Sequence, residues 1–201
     1  MMPNGRMMCL AALAAALTLA ACASRPVDHF YTVSNAKGEP KARGEPSGSG
    51  SAPLIAVMPV SLPALIDRPQ LVVRTSAHEV GILENHRWAE PLAADLTRAL
   101  IANLQRTAAR LDFESAEGAQ AQGAERVLQV DITELLSGPG PVTSLQATWV
   151  LYDRARAVVK QGKLARSVPT QGGYEAIADA YADAIAQVAD AIAHAVQPES
   201  K

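Results

Sequence analysis

Among the residues able to do chemistry, Cys22 has the most prescriptive setting. It closes the tetrad Leu19-Ala20-Ala21-Cys22, behind a basic residue, Arg6, and an apolar run from Met7 to Ala20. A charged n-region, a short apolar h-region and a small-residue cleavage site form the layout of a secretory signal peptide. The h-region holds 14 residues, fewer than the roughly 20 that a membrane-spanning helix needs. The only other cysteine, Cys9, lies inside that signal, so no disulfide is expected in the mature chain.

The remaining candidates for chemistry are weaker. The four histidines are His29, His78, His86 and His194, and none forms a His-x-x-x-His pair. A helical zinc site is therefore not supported, and no metal is expected. His78-Glu79 and Glu84-Asn85-His86 could form an acid/base cluster. They read better as polar residues at strand ends and in a loop. No Gly-x-Ser-x-Gly elbow is present, which weakens a hydrolase reading. The expectation is a protein that is not an enzyme, with no catalytic residue and no cofactor other than a covalent lipid on Cys22.

That lipid is implied by a resemblance. The tetrad resembles the bacterial lipoprotein signal, in which the cysteine is acylated on sulfur, becomes residue one by cleavage, and is acylated again on its new amine. One acyl chain holds a protein only marginally, whereas two or more anchor it stably. Ala23 and Ser24 follow the cysteine, with no Asp beside it. In a Gram-negative host this implies sorting to the outer membrane, facing the periplasm.

The elements behind the anchor follow from periodicity. A signal peptide over 1–21 and a short lipidated tether over 22–28 precede one domain over 29–197. From Cys22 to His29 the tether spans at most about 25 Å, so the domain sits close to its membrane. His29 to Val33 reads as a short strand. A flexible loop, 34–53, is rich in Gly, Pro, Ser, Lys and Glu. It is no phosphate-binding loop, because no Gly-Lys-Ser/Thr follows. Leu54 to Met58 is a continuous apolar run, as in a strand covered on both faces. Gln70 to Thr75 and Glu79 to Leu83 read as two strands around a turn at Thr75 to His78. Pro91 suits a first helical turn, and Glu90 and Asp95 favour the positive end of its dipole. Leu92, Leu96, Ala99, Leu100 and Leu104 form an apolar stripe down a helix to about Ala108. Leu128 to Ile132 and Leu145 to Tyr152 alternate as half-buried strands joined through Ser137 to Pro141. Ala157 to Val168 reads as a third antiparallel strand. A final helix runs from about Tyr174 to Val196, with a stripe of Ile177, Tyr181, Ile185, Val188 and Ile192, and Pro198 ends it. The fold class expected is α/β (α+β). A single mixed, mostly antiparallel twisted sheet carries two main helices.

Composition removes other functions. The chain has 18 Lys and Arg against 20 Asp and Glu, so it lacks the basic balance of a nucleic-acid-binding protein. No second apolar segment is long enough to span a bilayer.

Two segments are distinctive. One is Pro59-Val60-Ser61-Leu62-Pro63-Ala64-Leu65-Ile66-Asp67-Arg68-Pro69-Gln70-Leu71-Val72-Val73-Arg74. The other is Arg87-Trp88-Ala89-Glu90-Pro91-Leu92, followed by Arg98, Leu100, Asn103 and Leu104. With the Cys22 tetrad and Phe30-Tyr31-Thr32-Val33, the chain resembles the ABC-type transport auxiliary lipoproteins, the PqiC-like group. That resemblance implies an outer-membrane lipoprotein whose partner is an MCE-domain protein forming a tube across the periplasm, with an associated ABC-type transporter. It further implies a homo-oligomeric ring that docks the lipid conduit to the outer membrane and supports membrane integrity, without catalysis. The alternative is a stand-alone periplasmic lipid or small-ligand binding lipoprotein. Asp67 and Arg68 form either a rigid contact edge for the partner or a local turn. Trp88 is either a core anchor capping the sheet or an interface hot spot.

Overall fold

The computed structural model describes residues 27–34, 52–138 and 140–197. The signal peptide, Cys22, most of the tether, positions 35–51 of the expected loop and Pro198 lie outside the described residues. In chain order the strands are β1 (His29–Tyr31), β2 (Leu54–Val57), β3 (Gln70–Ser76), β4 (Glu79–Trp88), β5 (Asp112–Ser115), β6 (Arg126–Ser137), β7 (Val142–Asp153) and β8 (Val158–Pro169). Helix α1 (Leu92–Thr107) follows β4 and helix α2 (Glu175–Val196) follows β8, with a 3-10 turn at Ala119–Gly123.

Alternation builds the centre. Leu128, Val130 and Ile132 of β6, and Leu145, Ala147, Trp149 and Leu151 of β7, are all buried. Their neighbours in sequence point to the other face of the pleat. β6 pairs antiparallel with β7, and β7 with β8, along their lengths. On its other side β6 meets two different partners. Its first residues pair parallel with β2, from Ile55↔Arg126 to Val57↔Leu128, and its last, Ser137, pairs with Val73 of β3. The sheet therefore forks at β6. One branch runs through β2 to β5 and the other through β3 and β4 to β1. β2 lies between two strands and is buried from Ile55 to Val57, which accounts for its unbroken apolar run.

Both helices carry the stripes that their sequences display. Leu92, Leu96, Ala99, Leu100 and Leu104 of α1 are buried, as are Ile177, Tyr181, Ile185, Val188 and Ile192 of α2. The helices pack on each other, α1 also on β5 and α2 also on β7 and β8. At about 1.5–3 kcal/mol per fully buried large side chain, these two stripes supply much of the drive to close the sheet. Gly172, with φ at 126°, turns the chain from β8 into α2, a backbone conformation that a side chain disfavours.

The structure differs from the sequence reading in three places. β1 ends at Tyr31 rather than Val33, because the next residues bond to a helix instead of a strand. β4 continues through Glu84-Asn85-His86 to Trp88, so that stretch is strand and not loop. β5, a four-residue strand, had no sequence counterpart.

Candidate functional site

The segments that are distinctive in sequence come together at one end of the fold. Trp88 donates its backbone N–H to the Pro69 carbonyl at 2.7 Å, and Ala89 donates to the Tyr31 carbonyl at 2.7 Å. Beside them β1 pairs parallel with the end of β4, through His29↔His86, Phe30↔Arg87 and Tyr31↔Trp88. Gln70 pairs with Arg87 from the other side. The Pro59–Arg74 segment, the Arg87–Leu92 segment and the residues after the tether are thus neighbours.

Helix α1 fixes this arrangement through two buried polar side chains. The Asp95 carboxylate is 1 % exposed. Its Oδ2 accepts the Val33 N–H at 2.7 Å and the Thr32 hydroxyl at 2.9 Å. Its Oδ1 accepts the Ser34 N–H at 3.1 Å and Arg98 Nη2 at 3.1 Å. Arg98 is held in turn by Glu90. Burial by itself would raise the Asp95 pKa, but the hydrogen bonds from Ser34, Val33 and Thr32 outweigh it and hold the carboxyl below its ordinary range. Two residues on, the Thr97 hydroxyl accepts the Val60 N–H at 2.9 Å and donates to the Ala93 carbonyl at 2.6 Å. One turn of α1 therefore clamps both the strand leading from the tether and the start of the Pro-rich segment.

An aromatic cluster lies where the chain enters the domain. The His29 and His86 rings stack at 4.9 Å, and His86 meets Tyr174 at 4.0 Å. The Tyr31 hydroxyl and His86 Nδ1 share a hydrogen bond of 2.7 Å. Desolvation and the neighbouring His29 both lower the His86 pKa. Desolvation, with smaller effects from Glu175 and Tyr174, raises that of Tyr31. The cluster positions rings and tightens β1; among the described residues it contains no carboxylate paired with a histidine. His78 sits at the exposed β3–β4 turn, eight residues of extended strand from His86, or about 26 Å. The two halves of the imagined acid/base cluster are not brought together. Among the described residues no three His, Cys, Asp or Glu side chains converge as metal ligands.

Asp67 is exposed and Arg68 half-buried, in a turn where Asp67 N–H donates to the Pro63 carbonyl at 3.1 Å and Arg68 N–H to the Ile66 carbonyl at 2.8 Å. The buried Arg68 Nε has no hydrogen-bond partner among the described residues. Trp88 is 6 % exposed and packs within the core cluster, its ring 5.3 Å from that of Tyr181. Its indole is therefore not presented on the surface of the chain. Tyr181 donates its hydroxyl to the Leu135 carbonyl at 3.0 Å, and burial raises its pKa. Sequence reasoning did not find Thr97 or the clamping role of Asp95. Asp95 sits between Leu92 and Leu96 on the buried side of the α1 stripe, and an acid at such a position signals a buried partner.

These matching segments agree with a known family. The model of the ABC-type transport auxiliary lipoprotein component family matches residues 31–193. The chain belongs to this family. It is 25% identical, over 91% of its own length and 94% of the other's, to the intermembrane transport lipoprotein PqiC of Escherichia coli. The same figures hold for PqiC of Shigella flexneri. In fold, it is similar to the crystal structure of an uncharacterized protein, with a TM-score of 0.69 at 19% identity, covering 86% of this chain and all of the other. A Xanthomonas campestris protein matches with a TM-score of 0.59 at 18% identity, over 70% of this chain and 81% of that one. This member of the family is a forked mixed sheet with two helices. Among its described residues no helix is long and apolar enough to cross a membrane.

Proposed function

We propose that this auxiliary lipoprotein is the outer-membrane subunit of an MCE/ABC-type intermembrane lipid transport system. It docks the periplasmic conduit to the outer membrane and supports membrane integrity without catalysing a reaction. The lipid on Cys22 is its anchor, and the Asp67–Arg68 turn is its contact edge for the MCE-domain partner. One observation carries the reading. Pro69, directly after the turn, and Tyr31 of the tether-proximal strand accept the backbone N–H groups of the adjacent Trp88 and Ala89, while Asp95 and Thr97 of α1 hold Val33 and Val60. A pull on the anchor is then transmitted to the docking edge through backbone hydrogen bonds rather than through a loose joint. Arg68 is only half-buried at that turn, and its guanidinium is the group that would meet a partner carboxylate. The names of the PqiC relatives support intermembrane transport.

Separating inner from outer membranes on a density gradient tests the location. The full chain is expected in the outer-membrane fraction, and the Cys22→Ser variant in no membrane fraction. A chain found in the inner membrane would overturn the outer-membrane assignment.

A further inference from the structure

β8 closes the sheet with an edge that no other strand covers. It pairs with β7 over its whole length and with no second strand among the described residues. At 12 residues it is far longer than the other two outer strands, β1 with 3 and β5 with 4. Thr170 donates its N–H to the Pro141 carbonyl at 2.8 Å. Antiparallel alternation from that pair turns the backbone groups of Val168, Arg166, Leu164 and Gly162 to β7, and those of Ser167, Ala165, Lys163 and Gln161 outward. The register is regular from Lys160 to Pro169. Such a row of outward N–H and C=O groups is a template for a further strand. The edge is also basic. From Arg154 to Tyr174 the chain carries five basic residues and no acidic one, against a net charge of -2 overall. Lys160, Lys163 and Arg166 of that stretch lie on β8, exposed, and none is paired with a carboxylate among the described residues.

We propose that the outer edge of β8 takes up an extended acidic segment of another protein as an added strand. The proposal goes beyond the Asp67–Arg68 contact and rests neither on it nor on Cys22. The outward backbone groups read a polypeptide strand in general, by main-chain hydrogen bonds. The three cations select its charge. Lys163 shares its face of the sheet with Thr148, whereas Lys160 and Arg166 share the opposite face with Leu151 and Leu145. An acidic strand can therefore set a carboxylate beside a cation on either face, and opposite charges across a ladder attract. Arg166 Nη1 holds the Ala165 carbonyl at 2.9 Å. An incoming N–H would take that carbonyl over and free the guanidinium for a carboxylate. A second copy of β8 is the wrong occupant. Paired antiparallel about Lys163, it would set Lys163 against its counterpart and Lys160 against Arg166, and like charges directly opposite destabilise the pairing.

The test titrates the full chain, purified in detergent, with synthetic peptides into the millimolar range at low salt. One peptide repeats Thr-Glu, one repeats Thr-Lys, and one is the Thr-Glu repeat with every backbone nitrogen methylated, which keeps the charge and loses the donors. Backbone NMR reads the outcome. The expected result is saturable binding of the unmethylated Thr-Glu peptide alone, with slowed hydrogen exchange at the Gln161, Lys163, Ala165 and Ser167 amides. Lys163→Glu should weaken that binding about fivefold, as one opposite-charge cross-strand pair becomes a like-charge pair. Ala165→Pro should abolish it, while the ladder to β7 keeps its bonds because the Ala165 N–H faces outward. Far-ultraviolet circular dichroism checks that both variants fold, and the exposed Lys163→Glu decides alone where Ala165→Pro does not. Equal binding of the Thr-Lys or the methylated peptide, or no binding of the Thr-Glu peptide, overturns the inference. So does occupation of the edge by a second copy of the chain, seen as protection of the same amides that rises with protein concentration. Each of these results leaves the proposed function standing.

Discussion

The Asp95 carboxylate accepts the Val33 amide proton at 2.7 Å, and with that contact the strand that leaves the tether is fastened to the first turn of α1. Thr32, Ser34 and Arg98 complete the shell around the same carboxylate. Replacing Asp95 with Ala leaves buried donors without an acceptor, at about 1–3 kcal/mol for such a loss. Urea unfolding should show that destabilisation. A change within about 0.5 kcal/mol, the range of ordinary surface substitutions, would contradict the clamp.

The same site sets an acid dependence. Folded Asp95 titrates below its ordinary value of 3.8. The unfolded chain therefore binds the proton first as pH falls. The stabilisation is complete above about pH 4 and is lost as the pH drops through the folded pKa. Stability measured at decreasing pH should fall less steeply in Asp95→Asn than in the parent. Parallel curves would assign the acid sensitivity to other carboxylates.

His86 adds a second dependence in a milder range. Its folded pKa lies below the ordinary 6.5, through desolvation first and His29 second. As pH falls through 6.5 the unfolded chain takes up the proton first, so the contribution of the neutral ring decreases and then levels off below the folded pKa. Proton NMR titration should give His86 a midpoint below 6.5. His29→Gln should raise that midpoint by removing the neighbouring charge. A midpoint unchanged in the variant would separate the two rings electrostatically.

Trp88 and Gly162 test the core. Trp88→Ala empties a site against Tyr181 and should cost about 3–5 kcal/mol. A near-neutral result would place the indole outside the packed interior. At Gly162 an added Cβ would fall 2.7 Å from the Trp149 indole nitrogen, and Trp149 is itself buried. Gly162→Ala should destabilise by about 1–3 kcal/mol, read as a lower melting temperature. An unaltered melting temperature would show that β8 shifts to make room.

The parts of the fold legible in sequence are those with local periodicity. The stripes Leu92–Leu104 and Ile177–Ile192 and the alternation in Leu128–Ile132 and Leu145–Leu151 each encode an element within a short window. β5 escaped because Asp112-Phe113-Glu114-Ser115 has one apolar residue, and it is a strand only through parallel pairing with Leu54–Val57, far away in sequence. The end of β4 escaped for a related reason. Glu84-Asn85-His86-Arg87 is polar, and its pairing partner is the remote segment His29–Tyr31. At the candidate site, the distinctive segments were readable but their convergence was not. Asp95 meets Val33 across 62 positions, and no periodicity reports such a contact. Arg68 and Trp88 were singled out together, yet the fold separates their settings: Trp88 packs in the core while Arg68 stays half-buried in a turn.

Co-purification of the full chain from detergent-solubilised membranes, with identification of the proteins retained, tests the central claim most directly. An MCE-domain protein should be recovered with the unaltered chain, and its yield should drop with Arg68→Glu while the variant remains folded. Recovery of the chain without any MCE-domain protein would contradict the account.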